Sequence, residues 1–205
     1  MIAATLLVIG NLATRDAIAQ HRAEDLLTSL GQVIPSGSHD NDLLAQPLTL
    51  TRTGGEAITV YRARRGGLVT GVAFCVSGVG YAGPIALILG LDIQGKILGV
   101  RVLAHTEPPG LGDRIEIQRD DWILSFNGRS LGNPPAERWA VKKDGGDFDQ
   151  FSGATITPRA VVGAIEDGLR FFRAHRAALL APVAGREPSR EPPTAGGTPS
   201  RSTSQ

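Results

Sequence analysis

The residues best equipped for chemistry lie in one stretch, Asp149-Gln150-Phe151-Ser152-Gly153-Ala154-Thr155-Ile156-Thr157, directly before a helical pattern. Thr155 and Thr157 bring hydroxyls that can hydrogen-bond to a phosphate or be esterified by one, and Gly153 and Ala154 let a ligand approach the backbone closely. A helix start exposes unpaired N–H groups and the positive end of the helix dipole. That combination suits an anion such as phosphate. The same residues admit a plainer reading, in which Thr157 only caps the helix and Thr155 is a turn residue, because Ser and Thr are common at helix starts. Spacing alone leaves both readings open.

A second stretch, His105-Thr106-Glu107-Pro108-Pro109-Gly110-Leu111-Gly112, combines a possible base, a carboxylate and a glycine-flanked turn. The chain has four His, and none has metal-ligand spacing to another His or to Cys, so no metal site is expected and His105 reads as structural or cofactor-adjacent. Glu107 reads as a solvated or hydrogen-bonding loop carboxylate before a catalytic acid. Gly110-Leu111-Gly112 does not extend to G-x-G-x-x-G after a strand, which argues against a dinucleotide fold. Arg114 and Arg159 could each pair with a phosphate or with surface carboxylates, and Arg159 is favoured for its place in the first helical turn. No acid–base or nucleophilic triad is visible, so no catalytic residue is assigned. The single cysteine, Cys75, excludes an internal disulfide framework and a CxxC pair, and its alternating strand makes it a small core residue.

These segments need a scaffold. The strand candidates are Ile58–Arg64, Leu68–Val76, Pro84–Asp92 and Lys96–Ala104, with Arg65-Gly66-Gly67 and Gln94-Gly95 as turns. Their adjacency favours antiparallel hairpins. A helix is expected over residues 15–33, with Ile18, Leu26, Leu27, Leu30 and Val33 near one face and Pro35 and Gly37 ending it. Residues 36–56 read as loop-rich, a helical stretch is expected from Asp113 to Trp122, and the last helix from Pro158 to about Leu180, with Thr157 as its cap. The fold class is α+β: a twisted antiparallel sheet with flanking helices.

Length and charge bound the rest. The chain has 205 residues, with Lys+Arg 21 against Asp+Glu 20. That balance does not advertise nucleic-acid binding. Residues 1–14 carry no charge. As a helix they would span roughly 20 Å at about 1.5 Å per residue, short of the roughly 30 Å of a hydrocarbon core. They read as part of a membrane anchor whose upstream portion is missing, with a signal-peptide apolar region or a buried helix end as the alternatives. The organisation expected is therefore 1–14 apolar segment, 15–57 helix and connecting loop, 58–180 domain, and 181–205 disordered tail, rich in Pro, Gly, Ser and Thr.

Taken together, these motifs carry a resemblance. Asp149-x-x-Ser152-Gly153-Ala154-Thr155 resembles the flavinylation motif of FMN-binding domains, D-x-x-[ST]-G-A-T. The block from His105 to Gly112 is similar to H-x-E-T-P-G-L-G of the same family, with Pro108 standing where that signature has Thr. Gly80-Tyr81-Ala82-Gly83-Pro84-Ile85 and Trp139-x-Val141-Lys142-Lys143 also match. The ordered set, over about residues 15 to 178, resembles the RnfG family, the G subunits of Rnf-type electron-transport complexes, with the related NqrC subunit of a NADH:quinone reductase as the alternative.

The resemblance implies an FMN-binding domain with FMN joined through its phosphate to Thr155 by a flavin transferase. It implies that Asp149 belongs to the flavinylation motif and that Ser152, Gly153, Ala154, Thr157, Thr106, Glu107, Leu111 and Gly112 surround the cofactor, with the ring near Leu111 and a lysine of the 142–143 pair available to an anionic ring. It implies a single-pass protein of the cytoplasmic (inner) membrane, its soluble domain on the periplasmic face. Its partners would be the other subunits of the complex (A, B, C, D and E type), relaying electrons between ferredoxin- and NAD-linked subunits coupled to ion translocation. A module that docks other subunits without binding flavin is the competing expectation from a different functional class.

Overall fold

The computed structural model describes residues 24–52 and 54–182. The apolar 1–14 segment, the start of the first expected helix and the tail from 183 lie outside the described residues. Among those described, no helix is long and apolar enough to cross a membrane.

Five strands form one antiparallel sheet in chain order: β1 (Leu48–Thr51), β2 (Ala57–Arg65), β3 (Leu68–Val79), β4 (Pro84–Asp92) and β5 (Ile97–Ala104). Each strand reaches its neighbour by a short turn, so a meander is the topology of least loop-closure cost. At the β2–β3 turn Gly66 and Gly67 have φ of 57° and 82°, the left-handed backbone that a two-residue hairpin requires. β1 falls inside the stretch expected to be loop. It has only four residues and sits at the sheet edge, half-exposed in alternation, so its sequence carries too little apolar signal to stand out.

Two helices sandwich the sheet. Helix α1, residues 24–33 among those described, covers one face, where Leu30, Val33 and Ile34 pack with Leu43 on Ala63, Ala73 and Ile88. Its backbone lies close on the strands, since a Cβ at Gly90 would fall 2.2 Å from the carbonyl oxygen of Val33. Helix α2 (Ile156–Leu180) covers the other face with Val161, Val162, Ile165, Leu169 and Phe172, as its 3.6-residue period requires. Cover on both faces explains why β4 is buried along nearly its whole length. Two expected core residues are outside it. Leu27 is exposed on the outer side of α1, and Cys75 is exposed on the α1-side face next to Phe74 and Val76, which point to the α2 core.

The segment between β5 and α2 holds no α-helix. The stretch expected to be helical from Asp113 to Trp122 is two short 3₁₀ turns, Gly112–Ile115 and Asp121–Phe126. An aromatic cluster orders this irregular region instead. Phe126 stacks on Phe148 at 4.6 Å between centroids, and Trp122 meets Phe126 and Phe151 edge-on at 5.2 and 5.1 Å. Such pairs contribute about 0.5–1.5 kcal/mol each beyond their buried area.

Candidate functional site

Three chain segments meet at one end of the sheet: the β3–β4 turn at 80–83, the loop after β5 at 105–112, and the start of α2. Antiparallel pairing dictates the meeting, because Val79 pairs with Pro84 and Ala86 with Ala104. Between them lies a cavity of about 260 Å³, lined by Tyr81, Glu107, Pro108, Leu111, Gly112 and the whole run Gly153–Thr157.

The hydroxyl-bearing run is held from below by the aromatic cluster. The Trp122 indole N–H donates to the Asp149 carbonyl at 2.9 Å, and the Arg114 guanidinium lies 4.7 Å over the Phe151 ring. Ala154 N–H then donates back to Phe151 O at 3.1 Å, and Gly153 takes φ of 80°, a tight turn that only glycine enters without strain. The turn delivers Thr155, half-buried, to the N-cap of α2, where its side chain makes no capping bond and lines the cavity.

Thr157 is not the cap. The helix starts two residues earlier than expected, at Ile156, because Pro158 within the first turn surrenders only an N–H that has no intrahelical partner anyway. The Thr157 hydroxyl is 1% exposed and donates to the Glu107 carboxylate in a short bond. The same carboxylate accepts from Ala82 N–H at 2.9 Å and Tyr81 N–H at 3.3 Å. Glu107, only 4% exposed, therefore ties all three cavity segments together, and its solvated reading does not hold. Behind it, Glu107 N–H donates to His105 Nδ1 at 3.0 Å and His105 Nε2 lies 2.7 Å from Glu116 Oε1, so the proton sits on Nε2 and His105 is a structural link.

Of the ten residues that the resemblance puts in the attachment motif or around the cofactor, Thr155, Gly153, Ala154, Thr157, Glu107, Leu111 and Gly112 line this one cavity. Three do not. Thr106 is exposed and donates to Ala82 O at 3.0 Å, pinning the β3–β4 turn from outside. Ser152 is exposed on the turn before the cavity. The Asp149 carboxylate is exposed and accepts from Lys142 Nζ at 2.6 Å, beside Trp122, Gln150 and Phe151 rather than the cavity. That bond also takes Lys142 away from any ring in the cavity. Arg159 is committed to Asp144 by two bonds of 2.5 and 2.6 Å, which hold the Asp144 carboxyl below the usual carboxylate range. Arg114 pairs with Asp120, whose carboxyl is likewise lowered, first by that hydrogen bond. Tyr81 and Ile156 also line the cavity; both belong to the motif blocks read from the sequence, but neither was given a place at the site. Only the fold shows that a turn residue and the first residue of a helix meet there.

A larger groove of about 540 Å³ runs between α1 and the end of β5, lined by Gln32, Arg101, His105 and Glu116. Within it Arg101 donates to Gln32 at 3.1 Å and His105 is engaged by Glu116. Among the described residues no group of His, Cys, Asp and Glu is arranged to hold a metal ion.

The chain is 55% identical over 183 residues to the G subunit of the ion-translocating oxidoreductase complex of Cereibacter sphaeroides, covering 89% of this chain and 84% of that protein. It belongs to the family of these G subunits. The corresponding protein of Stutzerimonas stutzeri is 49% identical over 170 residues, 83% of this chain and 75% of the relative. The model of the FMN-binding domain family matches residues 80–170. In this member of the G-subunit family the match begins at the β3–β4 turn and takes in the loop after β5 and the start of α2, the three segments around the cavity. Among solved structures, NqrC of Shewanella oneidensis is similar at 23% identity and a TM-score of 0.49, over 74% of this chain and 73% of that one.

Proposed function

We propose that this chain is the electron-transfer subunit of a membrane-bound, Rnf-type ion-translocating oxidoreductase, carrying FMN esterified through its phosphate to Thr155. Membership of the G-subunit family and the FMN-binding domain match support the reading. The observation that carries the attachment site is the Thr155 hydroxyl, presented at a helix N-terminus into the cavity and not spent on a cap.

The residues present fit the group. Thr155 offers the ester oxygen beside the positive end of a 25-residue helix, which favours a phosphate charge. Gly153 admits close approach, with only Leu111 Cδ2 within contact of a Cβ there, at 3.9 Å. Leu111, Pro108, Tyr81 and Ile156 supply apolar walls for a flat ring. Pro108 also accepts from Leu111 and Gly112 N–H at 3.3 and 3.2 Å, shaping the loop under that wall. When bound, FMN supplies one-electron and two-electron redox chemistry, and the protein positions it.

Esterification needs a donor. A bond from Thr155 Oγ1 to phosphorus forms as the hydroxyl proton leaves and an activating group departs from that phosphorus. A free phosphate monoester has no such group, so the donor is a phosphoanhydride of the flavin nucleotide. We assign the reaction to the separate flavin transferase that the resemblance of the Asp149–Thr155 motif implies; Glu107, the carboxylate in the cavity wall, is engaged by three hydrogen bonds. Ser152 and Asp149 are exposed ahead of Thr155, which supports the reading that the transferase recognises them.

The apolar residues 1–14 are proposed as part of an anchor in the cytoplasmic membrane, with the domain on the periplasmic face among the other subunits of the complex. Covalent attachment suits that location, where a dissociated flavin would be lost. Intact mass and peptide mapping after co-expression with a flavin transferase test the attachment. One FMN phosphoester on the peptide holding Thr155, absent in Thr155→Ala, is the expected result. An adduct retained in Thr155→Ala refutes the site.

A further inference from the structure

One charged side chain lines the cavity, and it is an acid. Among the described residues no lysine, arginine or histidine lines it, and Glu107 is the charged member of its wall. Thr157 Oγ1, Ala82 N–H and Tyr81 N–H all donate to Glu107, and it donates none of these bonds, as an ionised carboxylate requires. The fold reserves its place. A Cβ at Gly112 would fall 2.8 Å from Glu107 Oε2, and one at Gly80 would collide with Oε1. Lys142, Arg114 and Arg159, which could have supplied a cation, are each paired outside the cavity, with Asp149, Asp120 and Asp144. The positive end of α2 lies at Thr155, where it serves a phosphate rather than a ring. Holding the three segments together does not require a charge, because a glutamine could keep two of the three bonds. Burying a charge also costs free energy that a neutral amide avoids.

We propose that Glu107 sets the reduction potential of the bound flavin, holding it low by repelling the negative charge that reduction adds. The proposal rests on the FMN reading above. One electron delivered to the ring, by a neighbouring carrier in the complex or by an electrode, adds one negative charge to it as long as no proton follows. No cation in the cavity wall offsets that charge, and Glu107 opposes it. A cavity of about 260 Å³ is about 8 Å across, and two charges at that separation in an effective dielectric of about 20 shift an equilibrium about thirtyfold. Glu107 is 4% exposed, so solvent does not surround it, but salt and water at the open mouth bring the effect down to about tenfold. A flavin held at low potential passes its electron readily to the next carrier, which is what a relay requires.

The test is a spectroelectrochemical titration of the full chain after flavin attachment, with intact mass and peptide mapping to count FMN on Thr155. Glu107→Gln removes the charge and keeps most of the bonds. Its one-electron equilibrium should move about tenfold toward the reduced flavin, a rise of about 59 mV. Glu107→Asp keeps the charge but is one methylene too short for the same bonds, and its equilibrium should stay within about threefold of the unsubstituted chain. Glu116→Gln makes the same change on the same loop, where the carboxylate engages His105 outside the cavity. It too should stay within about threefold. That pattern supports the proposal. An unmoved potential in Glu107→Gln, or equal shifts in all three variants, as a merely structural clamp would give, overturns it. The double variant Glu107→Leu/Thr157→Val removes the charge together with the hydroxyl that needs it, an exchange that is nearly neutral for stability. It should show the same rise, and it keeps the charge readable where Glu107→Gln carries no flavin; an unmoved potential there overturns the proposal as well. Flavin absent from the unsubstituted chain refutes the cofactor reading and this proposal with it, whereas flavin on Thr155 with a potential indifferent to Glu107 refutes this proposal alone.

Discussion

Replacing Glu107 tests whether one buried carboxylate holds the cavity together. In Glu107→Ala three donors lose their acceptor. The Tyr81 and Ala82 N–H groups lie on an exposed turn and can turn to water, but the Thr157 hydroxyl is 1% exposed and cannot. An unsatisfied buried hydroxyl costs about 1–3 kcal/mol, and a lost hydrogen bond to a charged acceptor about 1.5–3 kcal/mol. Allowing for water at the turn, Glu107→Ala should cost about 3 kcal/mol. Glu107→Gln should cost less. Its amide oxygen can accept from Ala82 N–H, and its NH₂ can donate to Thr157 Oγ1 once that hydroxyl reverses its role. Only the long Tyr81 bond, 3.3 Å, is given up, for about 1 kcal/mol. Urea unfolding followed through Trp122 and Trp139, buried at 7% and 5% exposure, measures both. With a slope of about 2 kcal/mol per molar urea, the midpoint should fall by about 1.5 M for Ala and about 0.5 M for Gln. Equal losses for the two variants, or a loss below about 0.5 kcal/mol for Ala, would refute the three-way clamp.

Other outcomes follow from the same geometry. A Cβ at Gly78 would fall 2.4 Å from the Ala160 carbonyl oxygen in the first turns of α2, so Gly78→Ala should destabilise by about 1–3 kcal/mol and lower the yield of flavin attachment; unchanged unfolding would show that α2 does not press on β3 there. The Asp144 carboxyl is held low by Arg159, so the pair adds stability above the unfolded carboxylate range, about pH 4, and that contribution fades as pH falls through the lowered folded value. The wild-type advantage over Asp144→Asn should thus be present at neutral pH and vanish in acid, and an advantage that grows on acidification would reverse the assignment. Cys75 is exposed, yet its strand neighbours crowd the sulfur enough that burial pushes the thiol up. Iodoacetamide should label it in the folded protein, but more slowly below pH 8 than a free thiol, and faster labelling would contradict this.

Much of the scaffold was legible in the sequence. The four longer strands announced themselves through apolar runs punctuated by Gly66-Gly67 and Gln94-Gly95, and α2 through Val161, Val162, Ile165, Leu169 and Phe172 at helical spacing. Where local signals misled, the reason is tertiary. The stretch from Asp113 to Trp122 has helix-compatible residues, but its hydrophobic side chains are claimed by the aromatic cluster, which favours two separate turns. Thr157 looks like a cap because it precedes Pro158, and it is instead buried against a carboxylate fifty positions earlier in the chain.

By itself the sequence determined the ingredients: a balanced charge, one thiol, a hydroxyl-rich turn ahead of an amphipathic helix and a second turn rich in Pro and Gly. Their types fix which bonds can form, since side-chain chemistry is local. The tertiary structure decided which of them share a site. Antiparallel pairing of β3, β4 and β5 brings the 80–83 turn and the 105–112 loop to one end of the sheet, and α2 packed on the same sheet starts there. That arrangement freed Thr155 for the cavity, committed Thr157 and Glu107 to holding it, and turned Asp149 away from it. No spacing rule carries such assignments, because they depend on where non-local pairing places the ends of strands.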